Sequence, residues 1–556
     1  MSESPLPAKM SSSDLPGHDI FCTPENSSFV YQVPYQSLST ADKEIRLLRI
    51  LPDYGSGLVD CELLSNVKLA DVENKYLALS YCAGSAKNIR YISVNGAKCN
   101  VFANLHHALK EARHYWEIYG DKKDFLLWVD QICINQFDLA ERSHQVSFMR
   151  NIYENAKETL ICLSTAEANK GEEIGQLVKL RDVLERYGCN KSYNEFDKFY
   201  LANENNRAEV EKGLAAFFEV GKSPWWGRAW VFQEFIVSEQ AIFLQGMHSI
   251  PYLELIGLIR SFKKAAVFPC RGFKNSYHSL VRPRVEKDKA ASRMWMLLVA
   301  KSNLRRTNDL KMLLALTKDS QATDARDKLY SILGLARPGY GIVPDYSVNT
   351  NIHNLLVETT KRIILFDDSL EVLSYKNRRK TSHPGVEVLL PSWVLDWTDS
   401  TSLGQILDRG LFNVISIDME DDDPYQITKT SADAFFLQVS HPQNPEAQIT
   451  VMQIWGIFLD NDFKKTTVHS HLQYFEGARK YEMEVTDGIQ VGSDCELWGM
   501  YGSKETFLLC RYSNGYRVVA PVFCSNLEEQ LELVPGVVKK REINISKMQK
   551  TRITIF

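Results

Sequence analysis

The 556-residue chain has no Cys-x-x-Cys pair, no Gly-rich phosphate loop of the Walker type, and no apolar run near the roughly 18 residues a membrane span requires. A disulfide framework, ATP binding through such a loop and a spanning segment are therefore not expected. The 11 cysteines are an odd number, and Cys82, Cys133 and Cys162 lie in or beside apolar runs. With no signal-peptide start, they read as reduced core thiols of a soluble, cytoplasmic protein. A basic stripe interleaved with aromatics is missing too, and the formal net charge is only -4, so no nucleic-acid partner is expected. The cationic stretch from Lys263 to Lys287 also carries acids and a proline and reads as a solvated loop. His106-His107 and His469-x-His471 lack matching Cys or carboxylate spacing. No metal site and no required cofactor follow.

What is present divides the chain into four stretches. Residues 1–40 are rich in Ser and Pro and lack periodicity, which predicts a disordered tail. Residues 41–265 alternate strands and helices, which predicts an α/β domain with a doubly wound, mainly parallel sheet. Its strands are expected at Arg46 to Leu51, Tyr76 to Tyr81, Phe125 to Val129, Thr159 to Leu163 and Ala241 to Leu244. Asn95-Gly96 suits the left-handed turn of a hairpin. Residues 266–415 read as a helical region, and residues 416–556 as a small β-rich unit, with Asp418 to Pro424 as a linker or loop.

Phe125 to Val129 is apolar throughout, as in a strand covered on both faces, and Asp130 ends it abruptly. In open α/β sheets the ligand crevice lies beyond the carboxyl ends of strands, which is where Asp130, Gln131 and Asn135 fall. In the alternative reading, which spacing alone favours, Asp130 and Asn135 cap and turn the backbone. Asp138 and Glu141 have the spacing of a capping box, and Val146, Met149, Tyr153 and Ala156 recur at helical spacing behind them. Ser223-Pro224 is a helix start, and Trp230 and Glu234, four apart, share a helix face. In the structural alternative, Glu234 pairs with Arg228 or another cation while Trp230 packs in the core. A cysteine hydrolase using Cys133 or Cys82 with His144 is a further alternative. The isoleucines around Cys133 disfavour a thiolate there.

Three segments, Tyr76-Leu-Ala-Leu-Ser-Tyr81, Leu127-Trp-Val-Asp-Gln-Ile-Cys-Ile-Asn-Gln136 and Pro224-Trp-Trp-Gly-Arg-Ala-Trp-Val-Phe-Gln-Glu234, resemble in order and spacing the blocks of the heterokaryon-incompatibility (HET) domain of filamentous fungi. Asp324 to Leu335 and Pro344 to Ser347 resemble the segment that follows it. One departure stands out: the first block of the family usually ends Trp-Gly, and here Ala83 precedes Gly84. Loss of that aromatic alters stacking in a crevice loop or marks decayed activity. The resemblance implies nonself recognition and programmed cell death. The family is similar to the Toll/interleukin-1 receptor (TIR) domain, a flavodoxin-like fold, some members of which hydrolyse NAD with a Glu four residues after a Trp. It thus implies Glu234 as the catalytic carboxylate, with Ser80, Tyr81, Asp130 and Trp230 around NAD or a related nucleotide as substrate. A non-enzymatic signalling module that self-associates or binds a protein partner is the other reading.

Overall fold

The computed structural model describes residues 35–258, 289–375, 390–398, 432–524 and 549–556, apart from short internal stretches at 53–54, 56, 86, 121–123, 169–170, 188–192, 305–307, 348–349, 470–471, 480–481, 487–488, 502 and 504–505. Most of the expected tail, the cationic stretch and the acidic linker lie outside the described residues. Two compact units emerge. The first comprises residues up to Arg306 with Ser320–Leu335 and Pro344–Ser347; the second comprises Thr307–Asp319, Ala336–Val343 and Val348–Phe556.

The first unit is built on nine strands: β1 (Glu44–Ile50), β2 (Asp60–Lys68), β3 (Leu77–Ser80), β4 (Ile89–Val94), β5 (Ala97–Phe102), β6 (Phe125–Trp128), β7 (Glu158–Cys162), β8 (Ala241–Gln245) and β9 (His248–Pro251). They form one sheet in the order β5-β4-β2-β1-β6-β3-β7-β8-β9. The expected parallel pairing is found at the centre, where β6, β3, β7 and β8 run parallel to one another, and once more between β2 and β4. On the flanks β1 is antiparallel to both β2 and β6, and β4–β5 and β8–β9 are antiparallel hairpins. The sheet is therefore mixed. For the two hairpins the reason is connection length, because a tight turn joins only antiparallel neighbours, whereas parallel strands need a crossover. Asn95 and Gly96 (φ 51° and 78°) make the first hairpin turn, and Gly246 and Met247 (φ 57° and 67°) the second.

Every residue of β3 and β8 is buried, which accounts for the absence of polar alternation in both. The helix Ala103–Tyr119 turns Leu105, Ala108, Leu109 and Ala112 into this core, and Trp116 stacks on Phe125 with ring centroids 5.1 Å apart. Val146, Met149, Tyr153 and Ala156 are all buried, but the expected single helix is two, Leu139–Ser147 and Met149–Glu154, broken at Phe148 (φ -121°).

The second unit contains the helices Leu310–Leu316 and Ile352–Asp367 and a further nine strands: β10 (Phe435–His441), β11 (Asn444–Asp460), β12 (Lys464–His469), β13 (Leu472–Glu476), β14 (Glu482–Thr486), β15 (Cys495–Met500), β16 (Thr506–Tyr512), β17 (Gly515–Cys524) and β18 (Lys550–Ile555). Their order is β10-β11-β15-β16-β17-β14-β13-β12, with β18 pairing both β11 and β17. Those pairings close a ring of β11, β15, β16, β17 and β18 around Leu497, Leu508, Ala520 and their neighbours. The β-rich reading holds. Among the described residues no helix is long and apolar enough to cross a membrane.

Candidate functional site

The parallel strands β6, β3, β7 and β8 stand in the order second, first, third, fourth of the sequence, so the strand order reverses between β3 and β7. Such a switch point is where open α/β sheets bind ligands, beyond the carboxyl ends of the strands. Ser80 ends β3 there and is 1% exposed. Its hydroxyl donates to Glu234 Oε2 and accepts the indole N–H of Trp225 at 2.7 Å.

The third segment supplies both partners because of how it folds locally. Pro224–Gly227 is a 3-10 turn capped by Ser223, whose side chain accepts from Trp225 N at 3.3 Å. The same hydroxyl donates to the carbonyl of Leu163, just past β7, at 2.6 Å. Ser223 thus fixes the turn to one strand end while Trp225 fixes it to the next. Glu234 follows in the helix Trp230–Val237, and Lys301 Nζ donates to the carbonyls of Phe235 and Ser238 at the end of that helix, at 2.6 and 2.5 Å. Ser223→Ala removes a cap and orphans a buried carbonyl. It is expected to lower stability by about 1–2 kcal/mol, read as a lower urea midpoint at unchanged m-value.

The charges at the site are coupled. Burial pushes the Glu234 carboxyl up to about 7, opposed by the Arg228 guanidinium and the Ser80 hydrogen bond and reinforced by Asp130. Burial also raises Asp130, against the pull of Arg228, the Gln131 N–H at 2.7 Å and Tyr81. Arg228 donates to the Tyr81 carbonyl. The Tyr81 hydroxyl donates to Gln131 Oε1 at 3.4 Å, and Gln131 Nε2 is buried without a hydrogen-bond partner. An acid near 7 exchanges its proton at neutral pH, a property suited to general acid/base work or to stabilising a positive charge.

Of the sequence candidates, Ser80, Tyr81, Asp130 and Glu234 come together, although Ser80 and Glu234 are 154 positions apart in the chain. Trp230 goes elsewhere. It packs at the edge of the core, and its indole helps lower the carboxyl of Asp327, a buried group that accepts the Tyr346 hydroxyl at 2.5 Å. Arg228 was foreseen as an ion-pair partner of Glu234; it reaches that carboxyl through its field and spends its hydrogen bond on Tyr81. Gln131, expected beside Asp130 in the crevice, contacts Tyr81 there, whereas Trp225 is not among the expected site residues and nothing in its spacing signals the role.

Asp138 caps its helix as expected, accepting from Ala140 N and Glu141 N at 3.0 Å each. Glu141 does not complete the box. Its carboxylate instead takes a bidentate contact from buried Arg46 at 2.6 and 3.0 Å and the Asn135 N–H at 2.7 Å, which ties down the loop after β6.

The thiol at Cys133 is fully buried and pushed up to about 12, chiefly by burial, and its sulfur accepts from Val129 N at 3.5 Å. His144 packs on Phe148 with ring centroids 5.0 Å apart, and no hydrogen bond joins it to Cys133 among the described residues. A protonated thiol without a base is no nucleophile. His107 Nε2 lies 2.8 Å from Ser164 Oγ, which donates to buried Glu111 at 3.0 Å, so this histidine is held inside a polar cluster rather than standing free.

Comparison with known proteins falls on the same stretch. Residues 76–234 match the family model described as Heterokaryon incompatibility protein (HET), a span that contains Ser80, Tyr81, Asp130, Trp225, Arg228, Trp230 and Glu234. Over 407 residues the chain is 26% identical to Heterokaryon incompatibility protein 6, OR allele, of Neurospora crassa; the alignment covers 65% of this chain and 58% of that protein. The chain thus spans less than two thirds of the length of this relative. No solved structure matches it. The resemblance to the heterokaryon-incompatibility (HET) domain is thus found again over residues 76–234, the stretch that holds the site.

Proposed function

We propose that this chain is a nonself-recognition effector that triggers cell death in incompatible fungal cells, with the Glu234 cluster as its working centre and NAD hydrolysis as its chemistry. The observation that carries the reading is one carboxyl, near pKa 7, held by Ser80 at the switch point of the sheet. The central strand order also supports a TIR-like, flavodoxin-like core, since it matches the first four strands of the order 2-1-3-4-5.

Cleaving the bond between nicotinamide and ribose develops positive charge on the sugar. Water then adds at that carbon, giving nicotinamide, ADP-ribose and a proton. Glu234 as a carboxylate stabilises the charge, in the way glycoside-cleaving carboxylates do. Ser80, Tyr81 and Asp130 position the nucleotide, and the unpartnered Gln131 Nε2 supplies a donor. Expression of the parent chain in a fungal host is expected to arrest growth, and Glu234→Gln to abolish the arrest at equal protein level. Equal killing by the variant overturns the catalytic reading.

A second reading has its own observation. Ser80 and Glu234 are each 1% exposed, so a substrate reaches them only after the groups packed around them shift. A signalling module acting by self-association needs no such opening. It predicts concentration-dependent assembly by size exclusion and killing that survives Glu234→Gln.

A further inference from the structure

Two cysteines of the second unit stand opposite each other. Cys495 in β15 and Cys510 in β16 are direct partners in the antiparallel register, and their sulfurs are 2.6 Å apart. Both are free thiols. Such a separation is closer than two unbonded sulfurs rest, and it joins neighbouring strands that already hold their backbones in place. Cys495 is buried and its sulfur accepts the Gly492 N–H at 3.3 Å, while Cys510 is only half-buried. The pair therefore has an inner, hydrogen-bonded sulfur and an outer one toward solvent.

A carboxylate oxygen of Asp494 lies within 4.8 Å of both sulfurs, so metal binding is the competing use of these side chains. The sulfur spacing argues against it. Two thiolates on a tetrahedral zinc, each about 2.3 Å from the ion, sit roughly 3.8 Å apart. At 2.6 Å no room remains between them, and Asp494 is exposed. Elsewhere among the described residues no cysteine sulfurs touch, and Cys61, Cys99, Cys133 and Cys162 are buried thiols held protonated by their surroundings.

We propose that Cys495 and Cys510 are a redox-responsive pair that a hydroperoxide converts into a disulfide across β15 and β16. One sulfur gives its electron pair to the peroxide oxygen and becomes a sulfenic acid, with release of one water. The other sulfur displaces that oxygen as a second water, so two thiols and one hydrogen peroxide give one disulfide and two waters. A dithiol reductant reverses the step by taking over the disulfide. In a reducing compartment a bond of this kind is a sensor rather than a scaffold. It cross-links a short loop within the ring of β11, β15, β16, β17 and β18, which restrains opening of that hairpin.

The test uses the full chain, purified reduced, treated with hydrogen peroxide, alkylated and mapped by mass spectrometry. The expected result is one cross-linked peptide pair containing Cys495 and Cys510, lighter by two hydrogens and restored by dithiothreitol. Amide exchange in β15 and β16 should slow by roughly tenfold or more in the oxidised form. Cys510→Ala should abolish the cross-link and the slowing together. The mapping of the unmodified sequence stands without any variant. Full alkylation of both cysteines after peroxide overturns the proposal, as does oxidation confined to other cysteines. So does one zinc per chain that leaves on Cys495→Ser.

Discussion

Arg46→Leu is expected to cost about 3–5 kcal/mol, enough to abolish most of the folded population of a marginally stable chain. Arg46 is fully buried and spends its guanidinium on four oxygens: both of Glu141, at 2.6 and 3.0 Å, and the carbonyls of Cys133 and Gln36 at 3.0 and 2.6 Å. The Tyr35 ring lies 4.7 Å from it. Removing the cation leaves the Glu141 carboxylate beneath the surface with the Asn135 N–H as its remaining partner. The penalty comes from that stranded charge rather than from the lost contacts alone. For this reason Arg46→Leu with Glu141→Leu should regain much of what the single change loses. Arg46→Lys should also be harmful, because an ammonium cannot reproduce the bidentate fork. Urea denaturation of the three variants decides it, and a single-variant loss under about 1 kcal/mol would show that the ion pair is not what holds the Asp130 loop.

Glu234→Gln carries the second large effect, and its sign depends on pH. The folded chain holds this proton up to about 7, against an ordinary value of 4.5, so between those values the folded state binds a proton that the unfolded state has released. The stability this contributes is fully present below about 4.5 and is lost as pH rises through about 7. Above 7 the buried carboxylate costs on the order of 3 kcal/mol. The amide carries no charge at any pH and still accepts from Ser80. Hence Glu234→Gln should melt several degrees above the parent at pH 8 and close to it at pH 4.5 to 5. A constant gap across that range means Glu234 ionises normally. Higher stability with lost function is the pattern of a strained working site.

Much of this was legible in the sequence because local signals and tertiary demand agreed. The unbroken apolar run at β6 demanded burial on both faces, and Asn95-Gly96 demanded a left-handed turn; each element is where it was expected. The gathering of Ser80, Tyr81, Asp130 and Glu234 was implied by the family resemblance; strand reading alone placed only Asp130 and its neighbours beyond a strand end. Other features depend on partners far away in the chain. Trp230 shares a helix with Glu234, yet Asp327 draws its indole, a contact no helical spacing encodes. Trp225 meets Ser80 across 145 positions. Glu141 had the right spacing for a capping box, but an arginine 95 positions away offers a charged, bidentate partner that a single backbone N–H cannot match. Apart from the Asn95-Gly96 hairpin, the antiparallel flanks escaped notice because β2 and β9 are half-exposed and mix polar with apolar residues.

The most direct measurement is nicotinamide release from NAD by the purified chain at neutral pH, beside Glu234→Gln shown to be folded by its higher melting temperature at pH 8. Release by the parent and its loss in the variant are expected if the carboxyl at the β3–β7 switch point is the working group. Equal release from both proteins, or a parent that kills cells while leaving NAD intact, contradicts it.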